Sequence, residues 1–494
     1  MHNATHINNT MKKTSLKENF LMNILLTASS ILFPLITFPY VSRILLPEGT
    51  GRVAFALSII SYFSMVASLG IPTYGIRACA QVRDDKEALT QTVQEIFLIN
   101  LCMTVLVYVS YFSALVFVEQ MRREKALFLL CGSTLFFNLI GMEWLYKGLE
   151  QYRYITIRSV GIKAVAVTLM LLLVRSQSDY LIYGVLTIIA SVGSNVLNFI
   201  NVRRFISLAP RRKYHLRQHL PPIFTFFALT VATTIYTNLD VAMLGFLTND
   251  QQVGYYNAAV KIKDLLVSFV TALGAVLLPR ISYYVSEGRM EEFAQLIRKA
   301  FDFIIFMAAP VAVYFLVMAD RSILLASGPA YTGSILPMQI IMPTIFCIGL
   351  TNVIGMQMLV PTGREKLVVI STCAGAVTDV VLNLWFIPRY ASVGAALGTL
   401  VAEIVVLLAQ LWMIRRELPG LMAVVQLPKV AAAMVPATAV LVAVQTWVNG
   451  WMGMREGLGG QLGNLAALSA TAAAFFGTYV VGLWVMRYKV VFGK

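Results

Sequence analysis

The sequence predicts an all-α integral membrane protein of about fourteen transmembrane helices, read as two pseudo-symmetric lobes of six helices with two more at the C-terminal end. Three observations predict it. The 494 residues are 58% hydrophobic and only 13% charged, with a mean hydropathy of +0.74, whereas soluble domains run near half apolar and a quarter charged. Apolar runs of the roughly 20 residues needed to cross a bilayer recur along the whole chain. The connections are short, and one basic loop stands near the middle.

The apolar runs fall at 20–46, 53–80, 89–118, 126–147, 159–175, 181–202, 222–248, 257–285, 300–319, 339–360, 367–387, 393–414, 430–449 and 465–486. They divide the chain into an N-terminal lobe (1–202), a basic linker (203–221), a C-terminal lobe (222–414) and a final pair of spans (415–494). An even number of spans puts both termini on one side. With the N-terminus in the cytoplasm, the inside segments hold about 25 of the 39 basic residues and the outside ones about 8, the bias expected of cytoplasmic loops. The linker alone carries six of them. The net charge of +15 is therefore topological, and no basic patch interleaved with aromatics points to nucleic acid. His215 and His219 sit in this linker and read as part of a solvated loop. The five cysteines lie in apolar runs without a CxxC and read as small core hydrophobes. The first twenty residues are polar and show no cleavable signal, and Met11 is a plausible alternative start.

The halves echo each other. GRVAFALSI (Gly51 to Ile59) opens the second span and GYYNAAVKI (Gly254 to Ile262) the eighth. Tyr183 and Gly184 in the sixth span recur as Val393 and Gly394 in the twelfth. Paired repeats are how many transporters build two alternating states. FPLITFPY, LGIPTYG and AAP interrupt spans with Gly and Pro and supply kinks, and a bending point for alternating access is compatible with that.

Ionisable groups within a span are costly and mark function by default. Asp240, in TNLDVAMLGF, Asp379 and Glu403 lie inside apolar runs, all in the second half. Asp379 and Asn383 are spaced to share a helix face. Their oxygens suit a hard cation such as Na⁺ or a held proton, and structural pairing with a neighbour is the alternative. Among cations, Arg77 and Lys261 sit on second helices of the two halves and are the better candidates for a phosphate group, with Arg43 near the outer end of the first span and Lys263 beside Lys261 as further candidates. Lys163 reads as a snorkelling interfacial residue. Glu143 and Lys147 form an i,i+4 pair, and Trp144 and Tyr146 fit an interfacial aromatic belt. No P-loop, HExxH or GxSxG occurs, and no outside loop is large enough to shape a catalytic site, so the chain is not read as an enzyme, a glycan polymerase or glycosyltransferase included.

FPYVSRILLPEGTGRVAFALSIISYFSMVASLGIPTYGIRACA resembles the opening of the bacterial polysaccharide-transport flippases, the Wzx-like branch of the superfamily shared with the multidrug-and-toxin extruders (MATE). EWLYKGLEQYRYITIRS, TNLDVAMLGFLTNDQQVGYYNAAVKI, LPRIS and VLNLWFIPRYASVGAALGTLVAE follow in order, over about residues 15 to 415. The resemblance implies a MATE-like fold with a central cationic cavity. It implies ion-coupled flipping of an undecaprenyl-pyrophosphate-linked oligosaccharide from the inner to the outer leaflet of the bacterial plasma membrane. Polysaccharide polymerase and chain-length machinery are the implied partners. Related lipid II flippases carry a sodium site on their seventh and eleventh spans, and Asp240, Asp379 and Asn383 fall on the matching stretches, with Glu403 beside them. Relatives often carry Asn where Asp379 stands. Arg77 in GIRACA and Lys261 in NAAVKI match places where the family tends to put a base. Lipid II flipping and drug/cation antiport are the rival readings of the same fold.

Overall fold

The computed structural model describes residues 16–211, 213–416, 426–452 and 458–488. The alternative start at Met11 and parts of the segment 415–494 lie outside them. Among the described residues every regular element is helical. Among the described residues nine helices are long and apolar enough to cross a membrane, and up to twelve if each of three bent pairs is one span.

Two of the nine are too long for one crossing. Helix α1 (Leu16–Ser68) has 53 residues and α16 (Glu365–Met413) has 49, against a hydrocarbon core of about 30 Å and a rise of about 1.5 Å per residue. Each is broken once. Leu46 takes φ 58°, ψ 178° directly before Pro47, whose ring excludes its predecessor from the helical region. Ala391 takes φ 48°, ψ −124° shortly after Pro388. Read as two spans each, these helices make the described chain compatible with fourteen.

The described residues form two compact units, one within 1–37 and 59–234, the other within 38–58 and 235–494. The first holds α2 (Ile71–Gln81), α3 (Lys86–Phe117), α4 (Glu119–Arg123), α5 (Lys125–Gly141), α6 (Glu143–Gly148), α7 (Tyr152–Leu173), α8 (Tyr180–Ile188) and α9 (Asn195–Asn201). Asp85 caps α3 by accepting from the backbone N–H of Glu87 and Ala88 at 2.8 and 3.1 Å. Met142, at φ 38° and ψ 41°, breaks α5 from α6, a left-handed conformation that an ordinary side chain adopts only under strain. The break turns Trp144, Leu145 and Tyr146 into a core with Ile71, Val93, Ile96 and Val202.

Four expectations can be set against the structure. Trp144 and Tyr146 are buried, not interfacial; the Tyr146 hydroxyl donates to the Asn198 carbonyl at 2.6 Å. Lys163 donates to the hydroxyls of Ser29 and Ser30 at 3.1 and 2.8 Å. The linker is largely exposed, His215 included, but it is tied down on α3. Gln94 donates to the carbonyls of Ser207 and Ala209, and buried Glu95 accepts from the His215 N–H at 2.7 Å. His219 is itself buried, its ring nitrogens 2.7 Å from Glu95 Oε2 and 2.6 Å from the Tyr74 hydroxyl. Of the cysteines, Cys79, Cys131 and Cys347 are buried, but Cys102 and Cys373 lie exposed on the helix surface.

The second unit takes up α10 (Leu220–Leu247) from residue 235 onward. It continues with α11 (Asp250–Ser286), α12 (Met290–Val317), α13 (Ala319–Ala326), α14 (Ile335–Ile341), α15 (Thr344–Asn352), α16, α17 (Leu427–Met452) and α18 (Leu458–Val485). The stretch after the Leu46 break crosses the start of α11 so closely that a β-carbon on Gly51 would overlap the Asp250 carbonyl. One on Gly254 would overlap that of Pro47. The two glycines that open the sequence echo are thus the two that this crossing needs. The last helix packs on α12, where the Tyr314 hydroxyl donates to the Leu468 carbonyl at 2.7 Å and Tyr479 to that of Phe306 at 3.1 Å.

Candidate functional site

The second unit gathers four helical segments around Asp240. The carboxylate sits on α10 and is 8% exposed. Its Oδ1 accepts from the Asn383 amide nitrogen at 2.6 Å. Its Oδ2 accepts from Thr399 Oγ1 at 2.7 Å and from the hydroxyl of Tyr256 on α11. The same Asn383 nitrogen reaches Asp379 Oδ1 at 3.1 Å. Asp379 and Asn383 are 2% and 0% exposed. One amide therefore bridges two buried carboxylates.

The sequence builds this locally. Asp379 and Asn383 stand before the Ala391 break of α16 and Thr399 and Glu403 after it. The returning half carries Gly394 and Gly398 at the spacing that lets helices approach closely. A β-carbon on Gly394 would overlap the Phe386 carbonyl, and one on Gly398 would overlap the Asn383 amide oxygen. Gln410 then donates to the Ser371 hydroxyl at 3.2 Å further along the same pair.

Glu403, 6% exposed, lies beside the ring of Tyr236 and within electrostatic reach of Lys263 and Asp240. Lys263 binds Asp264 at 2.8 Å with its side chain 14% exposed. It thus stands with the carboxylates. Two carboxylates in low dielectric repel unless a cation or a proton stands with them. The Asn383 amide oxygen is buried and has no hydrogen-bond partner. An oxygen so placed, beside two carboxylates and the Thr399 hydroxyl, fits a hard monovalent cation. No group of three or more His, Cys, Asp and Glu with metal-binding geometry occurs among the described residues.

The basic candidates are divided between the two units, Arg77 in the first and Arg43 and Lys261 in the second. Arg77 is exposed on α2, and Lys261 is exposed on α11. Arg43 points at the end of α13, donating to the carbonyls of Leu324 and Leu325 at 3.5 and 2.5 Å and also to Pro39. It satisfies carbonyls that a helix end leaves open.

Sequence reasoning missed Thr399 and Tyr256, which close the Asp240 site, and Glu95, which holds the linker. It also missed Asp302, which accepts from the Tyr488 hydroxyl at 2.7 Å, and Arg158, whose side chain is 4% exposed. The spacing of Gly394 and Gly398 was the available signal for Thr399. Tyr256 stood in plain view inside GYYNAAVKI.

An all-helical multispan chain with a buried carboxylate cluster on broken helices defines a membrane transporter. Comparison with known proteins refines the class. The model of the polysaccharide biosynthesis protein family matches residues 16–285, and that of the lipid II flippase MurJ matches 156–457. A protein of Escherichia coli (strain K12) assigned as an O-antigen transporter is 24% identical over 82% of this chain and 98% of its own length. Its counterpart in Shigella dysenteriae is 24% identical over 80% and 99%. Among solved structures, lipid II flippase MurJ in an inward closed conformation superposes with a TM-score of 0.72 at 12% identity, covering 95% of this chain and all of that one. An inward-facing multidrug resistance MATE family transporter gives 0.56 at 16% identity, over 79% and 95%. The chain belongs to the polysaccharide biosynthesis protein family, the Wzx-like flippase branch of the superfamily that also holds the MurJ and MATE folds.

Proposed function

We infer that the protein flips a lipid-linked oligosaccharide, an undecaprenyl-pyrophosphate-linked unit, from the inner to the outer leaflet of the bacterial plasma membrane, and that a monovalent cation or proton gradient drives it. Family membership supports the cargo. The observation that carries the coupling is the buried pair Asp240 and Asp379 joined through one Asn383 amide.

A charged, hydrated headgroup cannot cross bare hydrocarbon at a useful rate. Polar side chains and water along the protein replace that path while the polyprenyl tail stays in lipid. Arg77 and Lys261, both exposed, are the groups proposed to meet the pyrophosphate. Asp240, Asp379, Asn383 and Thr399 would hold the coupling ion, whose charge offsets the two carboxylates. The ion biases the transporter between its states only by the difference in its affinity for them. The cluster supports such a difference, because Thr399 and Asn383 stand on opposite sides of the Ala391 break. A bend there would change how many oxygens converge.

The test is flipping of a fluorescent undecaprenyl-pyrophosphate oligosaccharide in proteoliposomes, under imposed sodium or proton gradients. Wild type accelerates with one gradient. Asp240→Asn and Asp379→Asn each lose that acceleration while keeping the slow basal rate. Variants that respond to the gradient as wild type does would remove the ion from the mechanism. The MurJ model's match supports lipid II as a second cargo, and lipid II added to the same assay as competitor separates the two.

A further inference from the structure

We propose that a cavity of about 270 Å³ within the first unit is a saccharide subsite that takes one pyranose ring of the cargo's headgroup. The proposal rests on the flippase reading for its cargo, but its geometry is independent of the Asp240 cluster. Asn100, Asn138, Asn195, Glu143, Trp144 and Lys147 line the cavity.

The charges there are already matched. Lys147 binds Glu143 at 2.8 Å, and Arg158 Nη2 stands 4.0 Å from the other Glu143 oxygen. Arg158 Nη1 donates to Ser194 Oγ at 2.9 Å and to Asn195 Oδ1 at 3.5 Å. Asn195 in turn donates to the Phe137 carbonyl at 3.1 Å. What lacks a partner is neutral. Asn100, near the middle of α3, is 6% exposed and makes no hydrogen bond to any described residue. Asn138 on α5 makes none, and neither does the indole N–H of Trp144, itself 6% exposed.

Unpaired amides offer two donors and one acceptor each, and an indole adds a donor beside an apolar face. Hydroxyls that both give and accept hydrogen bonds, on a ring with an apolar side, complement that set. A free cation or a phosphate would find its counter-charge already engaged. The volume lies just below the roughly 300–1,000 Å³ of sites for drug-sized ligands, which suits one ring and not a whole repeat unit. The backbone is shaped for the ring of Trp144, since a β-carbon on Gly75 would meet it at 2.7 Å.

The probe is a panel of methyl hexopyranosides and N-acetylglucosamine, read by saturation-transfer NMR on the full-length protein in nanodiscs, with sodium pyrophosphate titrated separately. At least one pyranoside binds wild type saturably, and Asn100→Leu weakens it at least tenfold. Pyrophosphate binding stays unchanged in that variant. Its melting temperature without sugar holds, because no hydrogen bond within the protein has been removed. Trp144→Phe, which keeps a ring, weakens binding less than Asn100→Leu. The proposal fails if no pyranoside binds, if glycerol gives the same signal, as a merely hydrated cavity would, or if Asn100→Leu binds like wild type. In proteoliposomes, a wild-type KM for the lipid-linked sugar in Asn100→Leu overturns the subsite and leaves the flippase reading intact. A protein that binds the pyranoside through Asn100 but flips nothing overturns the flippase reading and leaves the sugar site standing.

Discussion

Asn383 and Glu95 are small anchors with opposite logic. Asn383 is a neutral group that holds two acids, donating one amide nitrogen to both Asp240 and Asp379. A hydrogen bond to a buried charge contributes about 1.5–3 kcal/mol. Asn383→Leu is therefore expected to lower the melting temperature of the purified protein by several degrees in sodium-free buffer, and an unchanged midpoint would show that the amide does not hold the acids together. Glu95 is a single acid held by several donors: Gln91 and the His215 N–H on one oxygen, Gln218 and His219 on the other. Glu95→Ala strands those donors, and a buried donor left without its partner costs about 1–3 kcal/mol. Glu95→Gln keeps an acceptor and loses less. Limited proteolysis of the linker reads the difference, with Glu95→Ala cut fastest; equal rates would mean the clasp does not hold the segment. These residues also mark what was legible. A carboxylate deep in an apolar run announces itself by its cost, so Asp240, Asp379 and Glu403 stood out. Glu95 lies close enough to the polar start of its helix to pass for an end residue. Asn100 and Asn138 carry no charge and raise no such signal.

At the scale of the helix, Pro and Gly carried most of what could be read. The apolar runs that end at 46 and 387 stop beside Pro47 and Pro388, where the breaks turn two very long helices into spans of membrane length. The glycine echo between the second and eighth spans located a crossing, though not its closeness. The π-helical stretches Ile189–Gly193 and Val353–Leu359 had no signature, because they arise from packing and not from composition. The returning half of α16 gives the sharpest test. Gly398→Ala places a methyl group where the Asn383 amide oxygen lies, and the two halves must separate. Overpacking of this kind costs about 1–3 kcal/mol. The expected result is normal insertion with loss of the gradient-driven part of flipping, matching Asp240→Asn. Gly477→Ala, with nothing near its β-carbon, is the control and behaves as wild type. Should Gly398→Ala keep its response to the gradient, close approach of the two halves is not a requirement for coupling.

Across the whole molecule, composition settles the solvent but not the orientation. A chain that is 58% hydrophobic belongs in a bilayer, and the exposed apolar side chains, such as Val109, Phe117, Val377 and Trp484, are what a lipid-facing surface requires. Which end faces the cytoplasm depends on where Lys and Arg accumulate, and the richest segment is the linker. Its docking on α3 does not hide Lys213, which remains exposed, and Ser178, in the short turn between α7 and α8, is exposed as well. The charge bias predicts opposite sides for the two. Lys213→Cys should gain labelling by a membrane-impermeant maleimide, counted above the wild-type background, in inside-out vesicles and not in intact spheroplasts. Ser178→Cys should show the reverse. If Lys213→Cys reacts in intact spheroplasts, the basic linker faces outward, the termini follow it, and the orientation read from the charge bias is overturned.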